Sequence, residues 1–204
     1  MNESQEMNIR KLGWGLIGFS MSMALATSLR AEETTVAAAN MLIYIHPQEY
    51  TSHIKLWQYY KDYWFQQGPL VEASALKVLG KEFGDVGMCD NNQTTSKTLV
   101  WLRPKMFYNP QVLVFYGKIT AVAYNAAGSP IATYVGEASK QGFLDVKTEQ
   151  QVTEVYEKTM QNLAEKMKAD SNLQAALKAG AATAGTPCSM VSLLPAPKVQ
   201  IMSY

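Results

Sequence analysis

The chain has 204 residues, 48% of them apolar and 17% charged, with 18 Lys and Arg against 17 Asp and Glu for a formal charge of +1. This length suits one domain with a real core. The composition is too apolar for a disordered chain and too interrupted for a polytopic membrane protein. The charge balance leaves no basic stripe for a phosphate backbone, so no nucleic-acid partner is expected.

Arg10 and Lys11 precede an uncharged stretch, Leu12 to Leu29, rich in Gly, Ser, Met and Ala. Ala24-Leu25-Ala26 has small residues at cleavage spacing, and Ala31 offers a second site. Positive charge, apolar segment and small residues in that order predict a signal peptide over residues 1–31. Met7 is an alternative start. A retained anchor helix is the rival reading, since the stretch is just long enough to span; its shortage of bulky aliphatics favours removal. A single α+β domain is expected over 32–180, followed by an irregular tail over 181–204.

Val36 to Ile45 reads as a strand, ended by His46-Pro47. Tyr50 to Phe65 then holds Tyr50, Trp57, Tyr59, Tyr60, Tyr63, Trp64 and Phe65. Taken as a helix, it places Tyr50, Ile54, Trp57, Tyr60 and Trp64 on one face. Gln66 to Pro69 is a break. Pro69 suits the first turn of a helix running to Phe83, with Gly84 as its stop. Val86 to Cys89 is a short strand and Asp90 to Lys97 a polar loop.

Thr98 to Arg103 is β-prone and limited by Pro104. In the strand Gln111 to Tyr124, Leu113, Phe115, Gly117, Ile119, Ala121 and Ala123 alternate with an amphipathic set suited to a half-exposed face. Asn125 to Pro130 is a hairpin loop, and Ile131 to Ala138 returns. Thr148 and Gln151 fit a capping box ahead of a helix whose Val152, Val155, Tyr156, Thr159, Met160, Leu163 and Met167 repeat at three and four. Glu154 and Lys158 suit an i,i+4 pair. A short helix, Ser171 to Lys178, stops at Gly180, and Val199 to Met202 reads as an edge strand. The sum is an α+β fold, a small antiparallel sheet with helices packed on one face.

Two cysteines, Cys89 and Cys188, lie far apart. In an exported chain the pair predicts one disulfide, which pins the tail to the loop after Val86–Cys89. Neither cysteine follows the signal segment, so no lipidated cysteine is apparent. His46, Glu49 and His53 are the candidate metal or acid–base cluster, but Pro47 interrupts it and the spacing is not H-E-x-x-H; an incidental role is expected, and no metal. Asp85 and Asp90 form no more than a loop pair. There is no G-x-S-x-G elbow, P-loop or dinucleotide fingerprint, so no catalytic residue and no cofactor are assigned. Lone Lys and Arg residues read as solvated surface. The aromatic stretch is the candidate contact surface, because Tyr and Trp are enriched at interfaces and membrane surfaces. Packing of those rings as core is the competing reading.

The helix Pro69 to Phe83, the hairpin from Val112-Leu113-Val114-Phe115-Tyr116-Gly117-Lys118-Ile119 through Gly128 to Tyr134, and the helix from Val152 to Met167 follow one another in an order that resembles small α/β auxiliary proteins and lipoproteins of the Gram-negative envelope. Those proteins assist lipid, lipopolysaccharide or exopolysaccharide export machines. The resemblance covers roughly half the chain, and it departs at the missing lipidated cysteine, the aromatic stretch and the cysteine-bearing tail. It implies a non-enzymatic periplasmic accessory subunit, docked on a larger envelope complex of transport, secretion or a surface appendage. Contact with a membrane surface, self-association and association with the outer membrane are compatible with it. The alternative is a soluble periplasmic binding protein whose aromatics line a groove for an apolar or glycan ligand.

Overall fold

The computed structural model describes residues 39–90, 94–179 and 185–197. The chain separates into two compact units, Met1–Thr35 and Val36–Tyr204, and the described residues all belong to the second. The signal segment over 1–31, the stop at Gly180 and the strand Val199 to Met202 lie outside them.

The main sheet contains β1 (Ala39–Ile45), β4 (Val86–Met88), β5 (Ser96–Asn109), β6 (Val114–Asn125) and β7 (Pro130–Gln141) in the order β4-β1-β5-β6-β7. The remaining strands, β2 (His53–Gln58) and β3 (Lys61–Gln66), form a separate hairpin. The helices are α1 (Gln48–Thr51), α2 (Gln67–Phe83), α3 (Thr148–Ala169) and α4 (Ser171–Lys178), and a 3-10 helix spans Pro187–Leu193. The α+β architecture stands as the sequence indicates. The sheet itself is mixed: β1 runs parallel to both β4 and β5, and only β5-β6-β7 form the antiparallel meander. A parallel pair needs a crossover, and the chain from β1 to β4 supplies one through α2.

Period-two alternation carries the sheet. Phe115, Ile119, Ala121 and Ala123 of β6 are fully buried on the helix side, with Val100, Leu102 and Met106 of β5 beside them. On α3 the repeat Val152, Val155, Tyr156, Thr159, Met160, Leu163 and Met167 is buried throughout, so the three-and-four spacing faces the sheet. Helix α3 sits close because β6 and β7 carry glycine beneath it. A Cβ at Gly117 would lie 2.6 Å from the Val155 side chain, and one at Gly136 would lie 2.8 Å from the Leu163 Cβ. Along the outer edge of β7, α3 also supplies two side chains: Asn162 accepts the N–H of Glu137, and the Lys166 ammonium donates to the Val135 carbonyl.

Several local expectations are corrected. Pro104 does not end β5, which runs on to Asn109. Pairing with β1 stops at Leu102, so beyond that point β5 is bonded only by β6, and proline is tolerated on such a one-sided stretch. Strand β6 begins at Val114, not Gln111, because Asn109 accepts the Gln111 N–H and Leu113 takes a positive φ of 54° in the turn. The Thr148–Gln151 capping box is not formed. Lys147 is the N-cap, Thr148 donates to the Leu144 carbonyl, and Gln151 donates to the carbonyls of Phe143 and Val146. Glu154 pairs with Lys140 of β7 and is hydrogen-bonded by Gln150, in place of an ion pair with Lys158.

The sheet's other face is closed over part of its area. The 3-10 segment lays Cys188, Met190, Val191 and Leu194 against Leu42, Leu99, Trp101 and Tyr124. A Cys89–Cys188 disulfide holds it there, spanning 99 residues of sequence with 5.8 Å between Cα atoms. The expected irregular tail thus contains this helix, and Gly185 bridges to Ser96 just before it. No helix among the described residues is long and apolar enough to cross a membrane.

Candidate functional site

The aromatic stretch is a β-hairpin, not the helix its spacing suggested. Helical periodicity accounted for Trp57, Tyr60 and Trp64 but left Tyr59 and Phe65 unplaced; period two places them all. Ile54 pairs with Phe65 and Leu56 with Tyr63 across the hairpin, and these four point into the core. Lys55 pairs with Trp64 and Trp57 with Asp62 on the opposite face. Aromatic and β-branched side chains favour such a pleated, half-buried surface. The two-residue turn is Tyr59-Tyr60. Neither has positive φ, since among described non-glycine residues only Leu113 and Lys147 do; the turn is therefore not the type I′ that Asn-Gly sequences adopt.

The hairpin's outer face is held by charge as well as pairing. Lys55 reaches Asp62 at 2.9 Å and lies over the Trp64 ring at 5.6 Å. Trp57 meets Tyr59 edge-on, with ring centroids 6.0 Å apart. Tyr60 is 100% exposed, Tyr59 62% and Trp64 56%, while Trp57 is half-buried.

Four of the seven aromatics singled out from sequence thus share the outward side of the hairpin. The other three do not join them. Phe65 is core and stacks on Tyr63. The Tyr63 hydroxyl is pushed above its ordinary pKa, by burial first and then by Glu149. Tyr50 lies in α1, packs its ring against Gly68, and donates its hydroxyl to Glu72 at 2.6 Å. Burial, then Glu72, raises its pKa well above the usual phenol range.

The histidine cluster disperses. His46 accepts the Gln48 N–H through Nδ1, Glu49 is buried, and His53 is exposed at the start of β2. Among the described residues no group of three His, Cys, Asp or Glu side chains could hold a metal. Glu49 instead joins a chain of hydrogen bonds. The Tyr156 hydroxyl donates to Gln67 at 2.5 Å, and the Gln67 amide donates to Glu49 at 3.1 Å. Burial raises the Glu49 pKa, with the Gln67 hydrogen bond opposing it.

A second place was not legible. Arg103 and Lys105 of β5 and Lys118 and Thr120 of β6 project from the outer sheet face into a cleft of about 410 Å³. Its rims are the segment from Gln48 to Ile54, with Gln67, on one side and Pro195 to Pro197 on the other. Trp101 also lines it, with Arg103 stacked over its ring at 4.9 Å. The signal was present in the alternation of β5, but reading Pro104 as a strand end cut Lys105 away from Arg103.

No family model and no curated protein matches the chain. Two solved structures resemble part of it. One is a PelC dodecamer from Paraburkholderia phytofirmans, with a TM-score of 0.37, 11% identity, and coverage of 61% of this chain and 89% of that one. The other is provisionally assigned as a lipoprotein from Caulobacter crescentus CB15, with a TM-score of 0.32, 11% identity, and coverage of 55% and 84%. Both scores are low, and neither protein lends this chain a function.

Proposed function

We propose that the chain is a non-enzymatic accessory subunit, exported to the periplasm and docked on a larger cell-envelope complex through the outer face of the β2–β3 hairpin. The observation that carries this reading is the two-sided hairpin. Its inner face is committed to the core, while Tyr59 and Tyr60 at the tip and Trp64 on the outer face are presented to solvent. Aromatic side chains give large contact area at low entropy cost, and they dominate interface hot spots. A Lys55–Asp62 pair beside them adds a polar border. Export is supported by the order of charge, apolar stretch and small residues at the N-terminus, and by the disulfide.

The test is crosslinking in intact cells, followed by purification of a tagged copy and mass spectrometry. A defined set of envelope proteins in fixed ratio is expected from the wild-type chain. Replacing Trp57 and Tyr60 together by alanine should cut that recovery about tenfold or more, since each hot-spot aromatic contributes more than ~1 kcal/mol. The melting curve should be nearly unchanged for the exposed Tyr60. Unchanged recovery from a folded double variant, or a wild-type chain that comes down alone, would overturn the reading.

A further inference from the structure

The cleft on the outer sheet face has an unbalanced set of polar groups. Lys105 and Lys118 stand directly opposite each other across β5 and β6, an arrangement of like charges that disfavours the pairing. Arg103 lies two residues from Lys105 on the same face and is paired across the strands with Thr120. Glu137 answers Lys118 at 2.6 Å. Among the described residues no carboxylate pairs with Arg103 or Lys105. Glu49, on the rim, is already engaged by Gln67, and its burial favours the neutral acid. The Trp101 indole N–H is the only buried side-chain polar atom among the described residues that lacks a partner. Unanswered groups in and beside the cleft are therefore donors and cations, and what they lack is an acceptor carrying negative charge.

We propose that this cleft binds a small oxyanionic ligand, a carboxylate, sulfate or phosphate group on a carrier of saccharide size, with Arg103 and Lys105 taking the anionic group. The volume falls in the range of small-ligand sites. Arg103 offers a planar fork suited to such groups and is already oriented by the Trp101 ring. An anion here also relieves the repulsion between Lys105 and Lys118. Thr120 supplies a neutral hydrogen-bonding group for the carrier. The proposal does not rest on hairpin docking: the cleft and the exposed tip are formed by different side chains, so either can fail alone.

The experiment is calorimetric titration of the oxidised, purified protein at low ionic strength with three probes: glucuronate, glucose and inorganic phosphate. Glucuronate is expected to bind with a Kd of about 1 mM or tighter, and glucose not to bind. Arg103→Gln and Lys105→Gln should each weaken glucuronate about tenfold or more, the usual effect of losing a hydrogen bond to a charged group. Both positions are exposed, so the variants should melt like the parent. Phosphate binding that is lost in the same variants would locate recognition in the anion alone. Glucuronate binding without phosphate binding would show that the carrier is read too. The proposal is overturned if neither anion binds, if glucose binds as well as glucuronate, or if binding survives both substitutions.

Discussion

The two faces of the five-stranded sheet are built by different means. The inner face is sealed by α2, α3 and α4 through continuous apolar packing, with Gly117 and Gly136 cleared so that α3 can settle onto the strands. The outer face is sealed over only part of its area, by a 3-10 segment held through one covalent link. Beyond that cover it shows Phe107 stacked on Tyr116 at 6.1 Å and the cations of the cleft. The contrast separates two tasks within one sheet. One side of each strand is committed to the core, and the other stays partly open to solvent.

The contrast should break most sharply at Leu163, which is fully buried between α3 and the sheet. Leu163→Ala should cost about 4 kcal/mol, in the upper half of the range for enclosed leucines, read as a fall in the urea midpoint. A loss below ~1 kcal/mol would mean that α3 is not seated as described. Next is the outer cover. Cys188→Ser should cost about 3 kcal/mol, in the middle of the usual range for loss of a native disulfide. The same variant should expose Leu99 and Trp101, visible as faster amide exchange in β5 and β1 but not in α3. Protection falling equally on both faces would deny that the tail covers only one. Smallest is the uncovered part: Tyr116→Ser should shift stability by about 0.5 kcal/mol, the scale of one cross-strand pair. A large loss there would show that the Phe107–Tyr116 pair belongs to a hidden core.

The inner face was the legible one. Regular spacing in Val152 to Met167 and alternation in Phe115 to Ala123 both follow from burial on one side, which leaves its period in the sequence. The outer face left less trace, because exposure constrains residue type weakly. At the hairpin the failure had a specific cause. Nearly every residue from Trp57 to Phe65 is aromatic or long, so helical and extended periods matched about equally well. The turn Tyr59-Tyr60 carries no Gly or Asn to mark it. Pro104 misled for a different reason. A proline forbids a ladder bond only where a neighbour is waiting for one, and that depends on how far β1 extends, which is a fact of tertiary pairing. The cleft could not be found without that pairing, since its four floor residues come from two strands. Cys89 and Cys188 were the exception on this face, because two cysteines allow a single pairing.

The two hydrogen bonds from α3 to the rim of β7 bear on how this molecule can meet others. A long border strand commonly offers its free backbone groups as a template for another chain to extend the sheet. Here the middle of that border is already occupied by Asn162 and Lys166, side chains of the same molecule. Growth of the sheet by a visiting strand is therefore blocked where it would be longest. Along that border, contact with another molecule is left to side chains, while the open main chain of β5 past Leu102 keeps its free groups on the opposite side of the meander.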